Sequence, residues 1–180
     1  PTRFRDGDYV VDVDNVAGAR TATTHLIETG RRRIATIGGP VTMVSSVDRV
    51  QGFRSALADA GLTPFAEEAG DYSEGSGAEA ARRILEAGRP DAIFVASDLM
   101  ARGAITALRG AGIRVPEDIA IVGFDDSSVA VSTDPPLTTM RQPMYAQGEA
   151  MAAVLLSRLA GRDPEHLTIL PTELVVRASA

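Results

Sequence analysis

The sequence predicts an α/β fold built on a doubly wound parallel sheet, and three observations predict it. Short apolar runs alternate with stretches of helical spacing along most of the chain. The connections between them are short and are punctuated by glycine or proline. Four strand–helix units follow one another, a pattern that calls for a parallel sheet covered by helices on both faces. Crossovers between parallel strands share one hand, so the winding follows. With 180 residues, 44% of them hydrophobic and 23% charged, one domain with a sizeable core is expected, and two small lobes are possible.

The elements are justified in chain order. "YVVDVD" (9–14) is an extended apolar run, and Asn15 can cap a helix over 16–29 with Val16, Ala19, Ala22, Leu26 and Ile27 on one face. Gly30 ends it, and "RIATIGG" (33–39) is the next strand. A loop over 40–46 leads to a helix over about 47–60, with Val50, Phe53, Leu57 and Ala60 inward. "AEEAGDY" (66–72) is a weak strand because it carries three carboxylates, and "GSGAEAARRILEAG" (75–88) is a helix. "DAIFVA" (91–96) is a strong strand, Asp98 opens a helix to about 111, and a buried strand over 119–124 follows. The loop 125–136 ends in Pro135-Pro136, "LTTMR" (137–141) is a short strand, a last helix covers about 144–160, and 167–177 is extended.

Composition narrows the function. A formal net charge of −6 argues against this chain gripping nucleic acid, which needs a basic patch. Arg31, Arg32 and Arg33 cluster at a helix-to-strand junction, where solvated cations are expected. The absence of cysteine excludes disulfides, thiolate catalysis and cysteine-based metal sites. His25 and His166 sit in no metal-ligand spacing and read as surface residues. "GSGAEA" (75–80) fits only the loose dinucleotide pattern, no phosphate-binding Walker loop occurs, and no nucleophile elbow occurs. An enzyme therefore has little to stand on.

Open parallel sheets bind ligands beyond the C-terminal ends of their strands, and polar residues gather there in this chain. Ser45 and Ser46 end one loop, and Arg49 opens the helix after it, where its charge opposes the helix dipole unless a carboxylate or ligand oxygen compensates. Tyr72 ends the weak strand and offers an aromatic face at a cleft edge. Ser97 and Asp98 end the next strand, with Asp98 as the simplest helix cap. In "EDIAIVGFDD" (117–126) a core strand runs into Asp125 and Asp126. One can cap the following loop and leave the other to accept ligand donors, and a carboxylate facing an arginine fork is a usual way to hold a sugar diol.

The segments "DNVAGARTATTHLIETGRRRIATIGGP", "SSVDRVQGFRSAL", "PDAIFVASDLMARGAI", "VPEDIAIVGFDD" and "PPLTTMRQP" together resemble the effector-binding core of the lactose-repressor (LacI/GalR) family of bacterial transcription regulators, over about residues 9–179. The resemblance implies a periplasmic binding protein-like type I fold with a DNA-binding head, a hinge helix and a two-lobed core that closes on a small effector. By that resemblance the chain begins late in the first lobe. Residues 1–14 would end the first lobe, 15–140 would form the second, 141–166 would cross back to the first, and 167–180 would return to the second. The effector contacts implied are Arg49, Asp125 and Tyr72 and, more loosely, Ser45 and Ser97. Met43 stands where the purine-repressor branch carries arginine, which favours a sugar or other neutral polyol over a purine. The resemblance further implies a cytoplasmic, non-enzymatic regulator without cofactor or metal, and without a membrane role. It implies a homodimer touching through helix 98–111 and loop 127–136, with Met100, Val129 and Val131 outward. Operator DNA would be read by the head, outside this chain. The alternative is a periplasmic sugar-binding protein serving a transporter, which shares each motif singly.

Overall fold

The computed structural model describes residues 7–180. Its elements are β1 (Val10–Val13), α1 (Asn15–Glu28), β2 (Ile34–Gly38), α2 (Val44–Asp59), β3 (Glu67–Ala69), α3 (Glu74–Ala87), β4 (Ala92–Val95), α4 (Asp98–Gly110), β5 (Ala120–Asp125), α5 (Ser128–Ser132), β6 (Thr138–Arg141), α6 (Met144–Leu159), β7 (Leu167–Leu170) and β8 (Glu173–Val175). Six strands form the main sheet in the order β3-β2-β4-β5-β6-β8, parallel except for β8, which runs antiparallel to β6. β1 and β7 pair in parallel as a separate two-stranded sheet.

The central strands are apolar on both faces, and their side chains divide by the two-residue period. Ala92 and Phe94 of β4, with Val122 and Phe124 of β5, pack against Leu26 of α1 and Phe53 and Leu57 of α2. Ile93, Val95 and Ile121 face the opposite way, onto Ala80 and Ile84 of α3 and Ala104 and Leu108 of α4. This is the predicted doubly wound sheet. The helices of each layer come very close. A Cβ added at Gly52 would lie 2.2 Å from the Val16 carbonyl oxygen of α1, and one at Gly103 would lie 1.9 Å from that of Glu74 in α3. Gly77 of "GSGAEA" falls in the same contact, since a Cβ there would meet the Met100 backbone at 2.1 Å, whereas Gly75 faces open space.

Several expectations are corrected. α1 is capped by Asp14, whose side chain accepts from the Ala17 N–H, while Asn15 turns inward. α2 begins at Val44, so Ser45 and Ser46 lie in its first turn and Arg49 in its second. The helix-dipole reason for an Arg49 partner therefore does not apply. The weak strand shrinks to Glu67–Ala69. Ser97, not Asp98, caps α4. The loop 125–136 contains α5, capped by Ser127. The extended tail splits around Pro171, which brings no N–H to a ladder, so β7 and β8 serve different sheets. Arg31 to Arg33 tie the sheet's rear edge together. Arg31 bonds the Asp91 and Pro116 carbonyls at 3.2 and 2.7 Å, Arg32 bonds the Ile27 carbonyl at 2.7 Å, and Arg33 lies over Phe65. Met100 is fully buried rather than outward, whereas Val131 is exposed. His25 is half-buried with Nε2 unbonded within the described residues, so it is not a surface histidine.

Candidate functional site

The five parallel strands β2 to β6 end on the same edge of the sheet, and polar residues that follow them gather there. The centre is Arg49, only 6% exposed. Its Nε donates to the Asn15 side-chain oxygen at 2.8 Å and its Nη1 to the Ala96 carbonyl at 2.6 Å. Nη1 also reaches Asp125 Oδ1 at 3.5 Å. Its plane lies 3.7 Å from the Phe124 ring centroid, a cation–π contact within the core. The helix α2 that carries it is anchored by Phe53 and Leu57, so the guanidinium is held by packing as well as by bonds. Nη2 donates to no acceptor among the described residues, which leaves two N–H groups for a ligand.

Asp125 ends β5 in a positive-φ conformation (φ 121°), and the Gln142 amide donates to its Oδ1 at 2.6 Å. Burial pushes the Asp125 carboxyl above its ordinary pKa, while Arg49 and Gln142 pull it down. Burial likewise draws the Arg49 guanidinium down, opposed by Asp125. Asp126 turns away from the site. It accepts from Arg141 at 2.7 Å and Arg177 at 2.6 Å, and these bonds lower its pKa against the effect of burial. The two adjacent aspartates thus have different roles, and only Asp125 faces Arg49.

Tyr72 also has a positive φ of 70°, and its ring fills the space that a side chain at Gly39 would take. Its hydroxyl is buried without a hydrogen-bond partner among the described residues. Ser97 follows Ala96, the residue whose carbonyl holds Arg49, but its hydroxyl is spent on the cap, accepting from Met100 N–H at 3.3 Å. Ser45 lies four residues before Arg49 on the same helix, a spacing that puts both on one face. Its side chain is half-buried and makes no hydrogen bond within the described residues. The structure thus brings Arg49 and Asp125 into contact and packs Tyr72 against Gly39, just past the end of β2. It leaves Ser97 occupied.

Residues the sequence reading did not single out complete the arrangement. Asn15 was assigned to a cap, yet its amide nitrogen donates to Asp12 and to the Val13 carbonyl, which aims its oxygen at Arg49. Gln142 lies one residue past the pair Asp125–Arg141 in the β5–β6 ladder, so its proximity follows from register that only the fold supplies. A cavity of about 940 Å³ opens beside Asp125, lined among others by Ser127, Gln142, Tyr145 and Met151. Another, of about 410 Å³, lies at the far end of α4 and contains none of the converging residues. Among the described residues no group of histidines and carboxylates is placed to hold a metal ion. The set offers donors, one carboxylate and an aromatic hydroxyl.

A periplasmic binding protein-like domain family matches residues 23–180. The HTH-type transcriptional regulator CelR of Thermobifida fusca is 48% identical over 173 residues, covering 94% of this chain and 51% of the relative. The chain belongs to the LacI/GalR family of transcriptional regulators. Within this LacI/GalR family its fold superposes on a solved transcriptional regulator CelR–cellobiose complex with a TM-score of 0.95 and 45% identity, covering 100% of this chain and 57% of that one. It superposes on the lac repressor dimer bound to operator and the anti-inducer ONPF with a TM-score of 0.89 and 34% identity, covering 94% and 52%. The chain spans about half the length of the curated relatives it matches. These relatives are transcriptional regulators, and the transporter alternative is not supported.

Proposed function

We propose that this chain is the effector-sensing part of a sugar-responsive LacI-type regulator, and that Arg49 and Asp125, with Tyr72 and Ser45 beside them, contact the effector. The observation that carries the reading is the pairing of buried Arg49 of α2 with half-buried Asp125 at the end of β5, with two Nη2 N–H groups unspent. An arginine fork opposite a carboxylate matches the alternating donors and acceptors of neighbouring sugar hydroxyls. The unbonded Tyr72 hydroxyl adds a third polar contact beside an aromatic face. Ser97, which caps α4, is the weakest of the expected contacts. Met43 is exposed at the start of α2 and brings no cation, which supports a neutral polyol over a purine. The similarity to a regulator solved with cellobiose supports a β-linked disaccharide as the first effector to try.

The rest of the regulator follows from the same reading. β1, α6 and β7 pack together apart from the main sheet, and they would join a first lobe supplied by further chain. Effector would favour one arrangement of the two lobes, and a DNA-binding head would respond, a population shift that needs differential affinity. A homodimer would suit a two-fold operator. Sensing coupled to DNA places the protein in the cytoplasm and asks for no catalysis, no cofactor and no metal. The test is operator binding by the full-length protein, followed by fluorescence anisotropy with and without cellobiose. A sugar-dependent shift in operator affinity is expected. Operator affinity that no mono- or disaccharide alters would reject the proposal.

A further inference from the structure

The turn that carries Asp125 runs against backbone preference. Asp125 and Asp126 are consecutive non-glycine residues at φ 121° and 54°. L side chains avoid that region, and it persists only where the surroundings over-determine it. Arg141 and Arg177 hold one side of the turn through Asp126.

Asp98 holds the other side. It is fully buried at the first position of α4, yet it does not cap that helix. One carboxylate oxygen accepts from the Ser127 N–H at 2.8 Å and the Ser127 hydroxyl at 3.1 Å. The other accepts from the Thr139 hydroxyl of β6 at 2.6 Å. Gly123 leaves room for it, since a Cβ there would sit 2.7 Å from Asp98 Oδ1. No cation pairs with it among the described residues, so the carboxylate is kept in the core by these hydrogen bonds alone. That is a costly way to fill space. It is an effective way to clamp the residue after the turn to the neighbouring strand.

We propose that Asp98 is the positioning residue for Asp125: by tying Ser127 to Thr139 it locks the positive-φ turn so that the Asp125 carboxylate stays turned toward Arg49. The inference rests on Asp125 being an effector contact. Asparagine can keep the clamp, because its oxygen can accept from Ser127 while its amide donates to the Thr139 oxygen. Alanine cannot.

The experiment is a calorimetric double-mutant cycle on the full-length protein with cellobiose as probe. Asp98→Ala is expected to raise Kd at least about tenfold, Asp98→Asn less than about threefold, and Asp98→Ala in an Asp125→Ala background to add less than about twofold, as coupled neighbours do. Thr139→Val, which cuts one arm of the clamp, is expected to weaken binding as well and serves if Asp98→Ala does not fold. Equal losses with and without Asp125, or no loss in Asp98→Ala, would overturn the proposal. If no sugar binds, or Asp125→Ala binds as wild type does, the effector reading fails separately. The clamp is then read from amide exchange in the ligand-free protein. Faster exchange at Ser127 in Asp98→Ala, restored in Asp98→Asn, supports it, and unchanged exchange overturns it.

Discussion

At Arg49 one guanidinium bonds the Asn15 amide, the Ala96 carbonyl and the Asp125 carboxylate. Replacing it therefore disturbs the fold as well as the site. Arg49→Lys keeps the charge and loses the fork, and it is expected to cost roughly 1.5–3 kcal/mol of stability in urea unfolding, the scale of a hydrogen bond involving a charged group. Asp98 makes a different prediction. Burial lifts its carboxyl to about 6 in the folded protein, against about 3.9 unfolded. The native state then holds more protons between those values, so this group lowers stability as pH rises from about 4 to 6. Compared with wild type, Asp98→Asn is expected to gain on the order of 2–3 kcal/mol between pH 4 and pH 7. Thermal unfolding of the two proteins at both pH values measures it. A difference that does not change with pH would show that Asp98 is not held ionised against its burial. Asp125 stands out in the sequence because it ends a core strand, whereas Arg49 was expected in a helix first turn and lies in the second turn of α2. Asn15, Gln142 and Asp98 were not legible, because their roles come from partners in other strands and helices. Asp98 even satisfied a simpler local rule, as a cap, that Ser97 in fact fulfils.

Among the elements, the buried strands were the most legible. β4 and β5 are short apolar runs between turn residues, and only a central parallel strand buries both faces so completely. Helix starts were less so. Nothing in "GPVTMVSSVDR" marks Val44 as the beginning of α2, since Met43 caps it without a side-chain bond. The division of 167–177 between two sheets depends on partners at opposite ends of the sequence, Val10–Val13 for β7 and Thr139–Arg141 for β8. Helix–helix spacing carries the clearest prediction at this scale. Gly103 sits against the Glu74 carbonyl, and Met100 and Ala104 pack in the same layer. Gly103→Ala is expected to push α3 and α4 apart and lose about 1–3 kcal/mol, the usual scale of overpacking, despite alanine's better helix propensity. Chemical denaturation checks this. A stabilised variant would mean the layer has slack.

For the molecule as a whole, α6 is the element that the described chain leaves least covered. Met144, Tyr145, Met151, Leu155, Leu156 and Leu159 are all exposed, and Gln147 is its one buried residue. The apolar stripe was plain in the sequence, from Gly148 through Met151, Ala152 and Leu155 to Leu159, but periodicity does not name what covers a stripe. Each of these aliphatic side chains forgoes about 1.5–3 kcal/mol relative to full burial. In a two-lobed regulator the first lobe would cover them. Amide exchange in 144–159 is therefore expected to be slow in the full-length protein and faster in the isolated 180-residue chain, while β4 and β5 stay protected in both. Equal protection in both would place the cover elsewhere.

The central claim is that the Arg49–Asp125 pair holds a sugar-like effector. Calorimetric titration of the full-length protein with cellobiose, and with hypoxanthine as a purine control, tests it most directly. Saturable binding of the sugar and none of the purine is expected. Asp125→Ala should weaken sugar binding by about 10–150-fold, equivalent to roughly 1.5–3 kcal/mol, with the thermal midpoint little changed. Purine binding in place of sugar, or sugar binding that Asp125→Ala leaves intact, would contradict the account.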